Sequence, residues 1–323
     1  MPNVSRVVIS MGRYPVGVEA LDGEFPGIQF DAVEPEDLTN ALVDADVALV
    51  GFVNAREAIP GAKRLTWIQT AGAGVESLVG AGLEERSILL TNGSGVMASN
   101  MAEHVLGMML AFARCLPQIV VAQGEHQWKN GVSMDTVFEI RGQTVALVGL
   151  GDIGQEVARR LAGFGVKTIG VRRSGPGGAS VDGVDEILSI ANIDRALGQA
   201  DHVVASVPLT SETRDLFNAA RFAAFKPGAY FYNVGRGGSV VQADLIAALE
   251  SGQVAGAGLD VTTPEPLPEV DPLWSAPNVI ITGHTSGATP QFGQRVLDLF
   301  TDNLSRYLND EPLHNVVDLE RGY

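Results

Sequence analysis

The sequence predicts an α/β fold built on doubly wound parallel sheets, and three observations predict it. Short apolar runs, each followed by turn or helix-forming residues, recur along most of the chain, the pattern of strands alternating with helices in a parallel layer. One of those runs leads at once into a glycine-rich turn and a helical stretch, an arrangement that opens a sheet edge toward an anion. The chain has 323 residues, 46% of them hydrophobic and 19% charged, more than one core usually serves, so two domains are expected.

In the first hundred residues strands are expected at Arg6–Ser10, Val47–Phe52 and Thr66–Thr70. Ala98–Leu116 reads as one long helix with Met101, Val105, Met108, Met109, Leu110 and Phe112 spread over most of its faces. Such a helix is expected to be buried between domains or between subunits; a homodimer is expected on this ground, although burial within one subunit would account for it too. A second series then begins, with strands expected at Thr144–Leu150, Thr168–Val171, His202–Val207, Ala229–Val234, Ala255–Val261 and Val279–Thr282. Six strands of this kind imply a doubly wound sheet. Gly175–Gly178 and Pro264–Pro277 are loop-rich, and the second is long enough to suggest a functional loop. Pro290–Leu308 reads as one amphipathic helix that can carry the chain back to the first domain before the tail His314–Tyr323.

The formal net charge is -16, from 22 Lys and Arg against 38 Asp and Glu, and only four of the cations are lysine. This balance disfavours a surface that tracks phosphates, so no nucleic-acid partner is expected. The acidity has two readings that the sequence leaves open: a surface adapted to high salt, or a coding bias that prefers Arg to Lys. No apolar run long enough to span a membrane occurs, and MPNVSRVVISMGRYP holds no secretory core, so a soluble, untargeted protein is expected. Cys115 is the only cysteine. One thiol forms no intrachain disulfide and no cysteine-based zinc site, which fits a reducing, cytoplasmic setting. His104, His126, His202 and His314 show no metal-ligand spacing with a second donor and read as structural or exposed, so no metal is expected.

The run VALVGLGDIGQEVARRLAGFG sets Gly149, Gly151 and Gly154 in a G-x-G-x-x-G pattern between an apolar strand and a helical stretch. The first glycine permits a tight turn, the second lets backbone approach a pyrophosphate, and the third lets helix pack on strand. A dinucleotide is therefore expected here, with Asp152 and Ile153 in the turn and Val207, Pro208 and Val234 at neighbouring strand ends. An NAD site places a carboxylate about 20 residues further on, to hold the adenosine ribose hydroxyls. This chain instead has Arg172, Arg173 and Ser174 there. Two guanidinium groups and a hydroxyl attract a 2′-phosphate, so NADP is expected to be preferred over NAD.

Three later strands lead into NVGRGG, GLDVTTPEPLP and ITGHTSG, each bringing one polar side chain to the ligand-binding edge: Arg236, Glu265 and His284. Those residue types suit ketone reduction beside a carboxylate. Hydride addition builds negative charge on the carbonyl oxygen, which calls for a fixed cation and a proton donor. Arg236 can offer a planar fork to carboxylate and carbonyl. His284 can give the proton because imidazole titrates near neutral pH, and Glu265 can hold its ring.

From about Ala98 to Gly287 the chain resembles the D-isomer-specific 2-hydroxyacid dehydrogenase family, through AEHVLGMMLAFAR, GLGDIGQEVARRL, SVPLTSETRDLF, KPGAYFYNVGRGGSVV, AGAGLDVTTPEPLP and PLWSAPNVIITGHTSG. The resemblance implies two Rossmann-like domains with a cleft between them: a dinucleotide-binding domain over 98–284, and a discontinuous substrate domain made of 1–97 with 285–323. It implies a hydride transfer between NAD(P)H and a small 2-keto acid of the glyoxylate, hydroxypyruvate or pyruvate class, with Arg236, Glu265 and His284 in the roles given above. It places Asp260 of L-D-V on the nicotinamide carboxamide. It also assigns the substrate carboxylate to backbone N–H groups of TAGAGVE (Thr70–Glu76), at Ala73 and Gly74, alongside Arg236 and His284. Gly283 stands where many relatives have proline, a departure expected to loosen the histidine loop. Two alternatives stay open: a phosphoglycerate dehydrogenase-like enzyme, against which little basic excess near TAGAGVE and the absence of an added regulatory domain weigh, and a cofactor-sensing binding module of the corepressor type.

Overall fold

The computed structural model describes residues 4–12, 17–128, 132–134, 136–175 and 180–321; residues 176–178 of the expected glycine-rich loop, and the last two of the expected tail, lie outside the described residues. The chain divides into two compact units, Met1–Met97 with Thr289–Tyr323, and Ala98–Ala288. The return crossing, expected at Thr285, falls at Thr289, because the backbone N–H groups of Thr285 and Ser286 are tied to Asp260 of the second unit.

The first unit runs β1 (Arg6–Ser10), α1 (Glu19–Glu24), β2 (Gln29–Ala32), α2 (Leu38–Ala41), β3 (Val47–Val50), β4 (Trp67–Thr70) and β5 (Leu89–Thr91). Its sheet has the order β2-β1-β3-β4-β5, every pair parallel. The second unit runs α3 (Ala98–Ala113), α4 (Leu116–Gly124), β6 (Thr144–Val148), α5 (Asp152–Leu161), β7 (Lys167–Arg172), β8 (Glu186–Ser189), α6 (Ile193–Leu197), β9 (His202–Ala205), α7 (Ala219–Ala223), β10 (Ala229–Asn233), α8 (Gln242–Glu250), β11 (Val254–Leu259) and β12 (Val279–Ile281); α9 (Phe292–Leu308) then returns to the first. Its sheet has the order β12-β11-β10-β9-β6-β7-β8, again all parallel. Both sheets are doubly wound: the winding reverses between β1 and β3 and between β6 and β9, where loops leaving the carboxyl ends part.

The strands read as continuous apolar runs because each sheet is covered on both faces. Val145 and Leu147 of β6 join the cluster of α3 and α5, while Ala146 and Val148 join the cluster of α6, α7 and α8. In the first unit Val7 and Ile9 face α9, and Val8 faces the opposite layer. Three strands, β2, β5 and β8, went unforeseen. β2 lies at a sheet edge with its four residues intermediate or exposed, β8 is the far edge of the second sheet, and β5 has only three residues.

The long helix expected over Ala98–Leu116 ends at Ala113, and α4 follows it at a bend of 69°. Pro117, in the first turn of α4, cannot continue α3, and Cys115 between them takes the left-handed conformation at φ 54°. Burial of α3 needs no second copy: Ala102, Val105, Met109 and Phe112 pack on Val145, Val157, Val204 and Tyr232 of the same unit. A run of exposed apolar residues lies on α4, where Val120 and Val121 are 65% and 63% exposed. Among the described residues no single helix is long and apolar enough to cross a membrane.

His202 is sealed inside this second core, amid the rings of Phe138, Tyr230 and Tyr232. Its Nε2 faces the Gln143 Oε1 at 2.8 Å and its Nδ1 the Tyr232 hydroxyl at 3.0 Å. A carbonyl oxygen only accepts, so Nε2 carries the hydrogen and Nδ1 accepts from the tyrosine. Both nitrogens are satisfied with the ring neutral. Burial pushes its pKa down to about 4, against a weaker opposing pull from Asp201. The unfolded chain therefore takes up a proton below pH ~6.5 that the native chain refuses until about pH 4, and over that window stability falls by about 3 kcal/mol. Urea titrations at pH 7 and pH 4.5 should show this acid loss, and His202→Asn should remove most of it; an unchanged loss would place the acid sensitivity elsewhere.

Candidate active site

After β6 the chain turns through Gly149 at φ 105°, where a Cβ would lie 2.7 Å from the Ser206 carbonyl oxygen. Gly154, in the first turn of α5, sits so close to that turn that a Cβ would lie 2.1 Å from the Gly149 carbonyl oxygen. Gly151, the N-cap of α5, differs, since nothing lies within 4 Å of where its Cβ would stand. Open space therefore lies before the N-terminus of a helix, which is what a pyrophosphate requires. Asp152 is exposed in that first turn and Ile153 is partly buried.

On the neighbouring strand, β7 ends at Arg172, whose Nε donates to the Gly175 carbonyl at 2.6 Å. Arg173 and Ser174 follow at the surface. Val207 and Val234 are buried at 8% and 1% exposure, so only their main chain can meet a ligand, whereas Pro208 is exposed. These residues fit a dinucleotide with an additional phosphate: the helix start and its glycines for the pyrophosphate, guanidinium groups and a hydroxyl for the 2′-phosphate.

The polar triplet comes from three adjacent parallel strands. Arg236 follows β10, Glu265 follows β11 and His284 follows β12, and these pair in the register Asn233 with Leu259 and Leu259 with Ile281. Gly237 lets the Arg236 turn lie on the β11 loop, since a Cβ there would be 1.8 Å from the Thr262 carbonyl oxygen. Arg236 itself is partly buried, and its turn is closed by Asn233, which accepts from Gly235 N at 3.0 Å and donates to the Arg236 carbonyl at 3.1 Å. Glu265 Oε1 accepts from Thr262 N at 3.1 Å, and Glu265 Oε2 lies 2.7 Å from His284 Nδ1. An ionised carboxylate only accepts, so Nδ1 carries the hydrogen and Nε2 is left to hold or release a proton. With the His284 side chain 54% exposed, that nitrogen is accessible. Glu265 and His284 are joined directly, and Arg236 shares their edge. Ala73 and Gly74, both exposed after β4, belong to the other unit.

Asp260 departs from its expected place. Its side chain is fully buried, and the carboxylate accepts from Thr282 Oγ1 at 2.7 Å, from Thr285 N at 2.8 Å, and from both N and Oγ of Ser286. Burial opposes its ionisation, but the hydrogen bonds from Ser286, Thr282 and Thr285 outweigh that cost and hold its pKa below the ordinary carboxylate value. What it binds here is protein, with no surface left to meet a carboxamide. Its main-chain carbonyl also accepts from His284 N at 2.6 Å. These bonds anchor the histidine loop, and Gly283 and His284 both sit at φ 59°, a conformation closed to proline.

Sequence reasoning missed the residues that complete this hub. His104 of α3, read as structural or exposed, donates from Nε2 to Thr282 Oγ1 at 2.9 Å, since that hydroxyl spends its own hydrogen on Asp260. Asn100 Nδ2 donates to the Ser286 carbonyl at 2.7 Å. Small hydroxyls and amides carry no periodic signal; only the position of Thr282, Thr285 and Ser286 around His284 hints at them.

The family model described as D-isomer specific 2-hydroxyacid dehydrogenase, NAD binding domain, matches residues 106–286. Glyoxylate/hydroxypyruvate reductase B of Citrobacter koseri is 31% identical over 307 residues, covering 92% of this chain and 93% of that one. The D-3-phosphoglycerate dehydrogenase of Methanocaldococcus jannaschii is 31% identical over 290 residues, 88% of this chain, which spans only 54% of that relative's length. Among solved structures, the NADPH-dependent glyoxylate/hydroxypyruvate reductase of Sinorhizobium meliloti, in complex with NADP and sulfate, superposes with a TM-score of 0.83 at 31% identity, over 99% of this chain and 100% of that one.

If Asp260 is the hub of this loop, exchanging its acceptors for an amide should be costly. Asp260→Asn turns an N–H₂ toward donors and should lose about 3 kcal/mol or more of folding stability, against about 1 kcal/mol for Ser286→Ala. Denaturant titration of both variants checks the ranking, and an Asp260→Asn protein as stable as the parent would refute the hub.

Proposed function

Because the chain belongs to the D-isomer specific 2-hydroxyacid dehydrogenase family, we propose that it reduces a small 2-keto acid, of the glyoxylate, hydroxypyruvate or pyruvate class, to the D-2-hydroxy acid with NADPH. The observation that carries this reading is the 2.7 Å pair of His284 Nδ1 and Glu265 Oε2 on the strand edge that also bears Arg236. Bound NADPH supplies the hydride. Everything else falls to side chains and backbone of this protein.

In this reading Arg236 grips the carboxylate and carbonyl oxygen of the substrate, holding a positive charge where negative charge builds. His284 gives the proton from Nε2 to that oxygen while Glu265 keeps Nδ1 engaged and the ring in one orientation. The amides of Ala73 and Gly74 take the substrate carboxylate. Asp260 serves by fixing the histidine loop. Arg172, Arg173 and Ser174 favour the 2′-phosphate, and the relative crystallised with NADP supports that preference.

A homodimer is proposed as well, through the apolar residues Leu116, Ile119, Val120 and Val121 that α4 leaves exposed. The single buried thiol, Cys115, supports a cytoplasmic setting.

A panel of glyoxylate, hydroxypyruvate and pyruvate, assayed with each cofactor, tests the proposal. At least one acid should be reduced to the D-hydroxy acid, with kcat/KM for NADPH exceeding that for NADH by about ten-fold or more. Sedimentation of the same preparation should give twice the 34.0 kDa chain mass. No reduction of any acid removes the enzymatic reading, NADH preference removes the phosphate-site reading, and a 34.0 kDa species removes the dimer.

A further inference from the structure

The TAGAGVE turn of the first unit is held from behind. The Gly72 carbonyl accepts from Gly93 N at 2.9 Å and from Thr70 Oγ1 at 2.9 Å, and the Ala73 carbonyl accepts from Asn92 Nδ2 at 3.0 Å. Across a trans peptide bond the C=O and the following N–H point in opposite directions. Pinning the Gly72 and Ala73 carbonyls against residues 92–93 therefore turns the N–H groups of Ala73 and Gly74 outward. Among the described residues neither amide donates a hydrogen bond, and both residues are exposed. Two successive outward N–H groups make an anion-binding concavity, and each is polarised by the bond its own peptide carbonyl accepts.

The support has a second tier. Gly93 lies so close to the turn that a Cβ would stand 1.9 Å from the Ala71 carbonyl oxygen. Asn92 is only 7% exposed; its Oδ1 accepts from Ser94 N at 3.0 Å, and its N donates to the Asn315 carbonyl at 3.1 Å. Asn315, at φ 54° beyond α9, returns Nδ2 to the carbonyls of Asn92 and Ser94 at 3.2 and 2.9 Å. Each polar group of Asn92 is thus committed, and only one geometry satisfies them all.

We infer that Asn92, backed by Asn315 and admitted by Gly93, is a positioning residue for the substrate carboxylate, holding the Ala73 and Gly74 amides outward before any substrate arrives. The inference rests on the reading of those two amides as carboxylate donors. Asn92 touches no substrate itself. Its effect is on KM for the keto acid, since it orders a site that would otherwise have to be ordered on binding.

Asn92→Asp keeps the side chain's shape and its bond from Ser94 N, but replaces the donor facing the Ala73 carbonyl with an oxygen. It should raise KM for the best keto acid by about ten-fold or more while leaving KM for NADPH unchanged, and Asn315→Gly, which retains the left-handed backbone, should give a smaller rise of about three-fold. Independently of turnover, 15N relaxation should give amide order parameters above about 0.8 at Ala73 and Gly74 in the parent and below about 0.6 in Asn92→Asp. Order parameters unchanged by the substitution overturn the inference whatever the kinetics show, as does an equal rise in both KM values. If the parent reduces no keto acid, the functional reading fails instead, and the relaxation data alone decide whether Asn92 holds the turn.

Discussion

The hydrogen bond between His284 Nδ1 and Glu265 Oε2, at 2.7 Å, is the interaction on which the rest of the site depends. It decides which ring nitrogen is occupied and which is left for chemistry, and it couples two loops that leave neighbouring strands, β11 and β12. Neither partner is held in place by burial, since the side chains are 54% and 36% exposed. Their mutual geometry must therefore be set by the backbone beneath them. Asp260 provides that floor: a buried carboxylate that accepts from Thr282, Thr285 and Ser286, in a residue whose carbonyl takes His284 N. A fully satisfied charge in a low-dielectric interior is rigid because every alternative leaves an acceptor or donor unpaired.

The same logic recurs where backbone approaches backbone. Gly237 brings the Arg236 turn onto Thr262, Gly154 brings α5 onto the turn after β6, and Gly93 brings the 92–94 turn onto TAGAGVE. In each case the absence of a side chain lets two stretches of main chain lie closer than a Cβ would allow, so the turns at the ligand-facing edge of each sheet are held by backbone packing. Catalysis by preorganised dipoles requires that condition, because donors that must reorient on binding spend the free energy that would otherwise stabilise developing charge.

Much of this was legible in the sequence, for identifiable reasons. Central strands covered on both faces read as unbroken apolar runs, so β1, β3, β4, β6, β9, β10 and β11 stood out, and polar residues directly after such runs marked Arg236, Glu265 and His284. Edge strands β2 and β8 face a cover on fewer sides and carry no such run. The break between α3 and α4 was marked by Pro117 but masked by apolar residues that continue through it. Asp260 was misplaced for a subtler reason: a motif at a strand end says that a side chain lies near the site, not which way it turns. Here it turns inward, toward partners that follow the next strand, one of which, Thr282, is itself held by His104, far earlier in the chain. Contacts between side chains that far apart have no local signature, and the Asn92–Asn315 pairing escaped notice for the same reason.

His284 is proposed to deliver the proton that accompanies hydride transfer, and single-turnover kinetics with NADPH already bound isolate that step. In His284→Asn the rate of cofactor oxidation on mixing with the keto acid should fall by about a hundred-fold or more, with NADPH affinity unchanged. A variant that turns over at the parent rate would contradict the account.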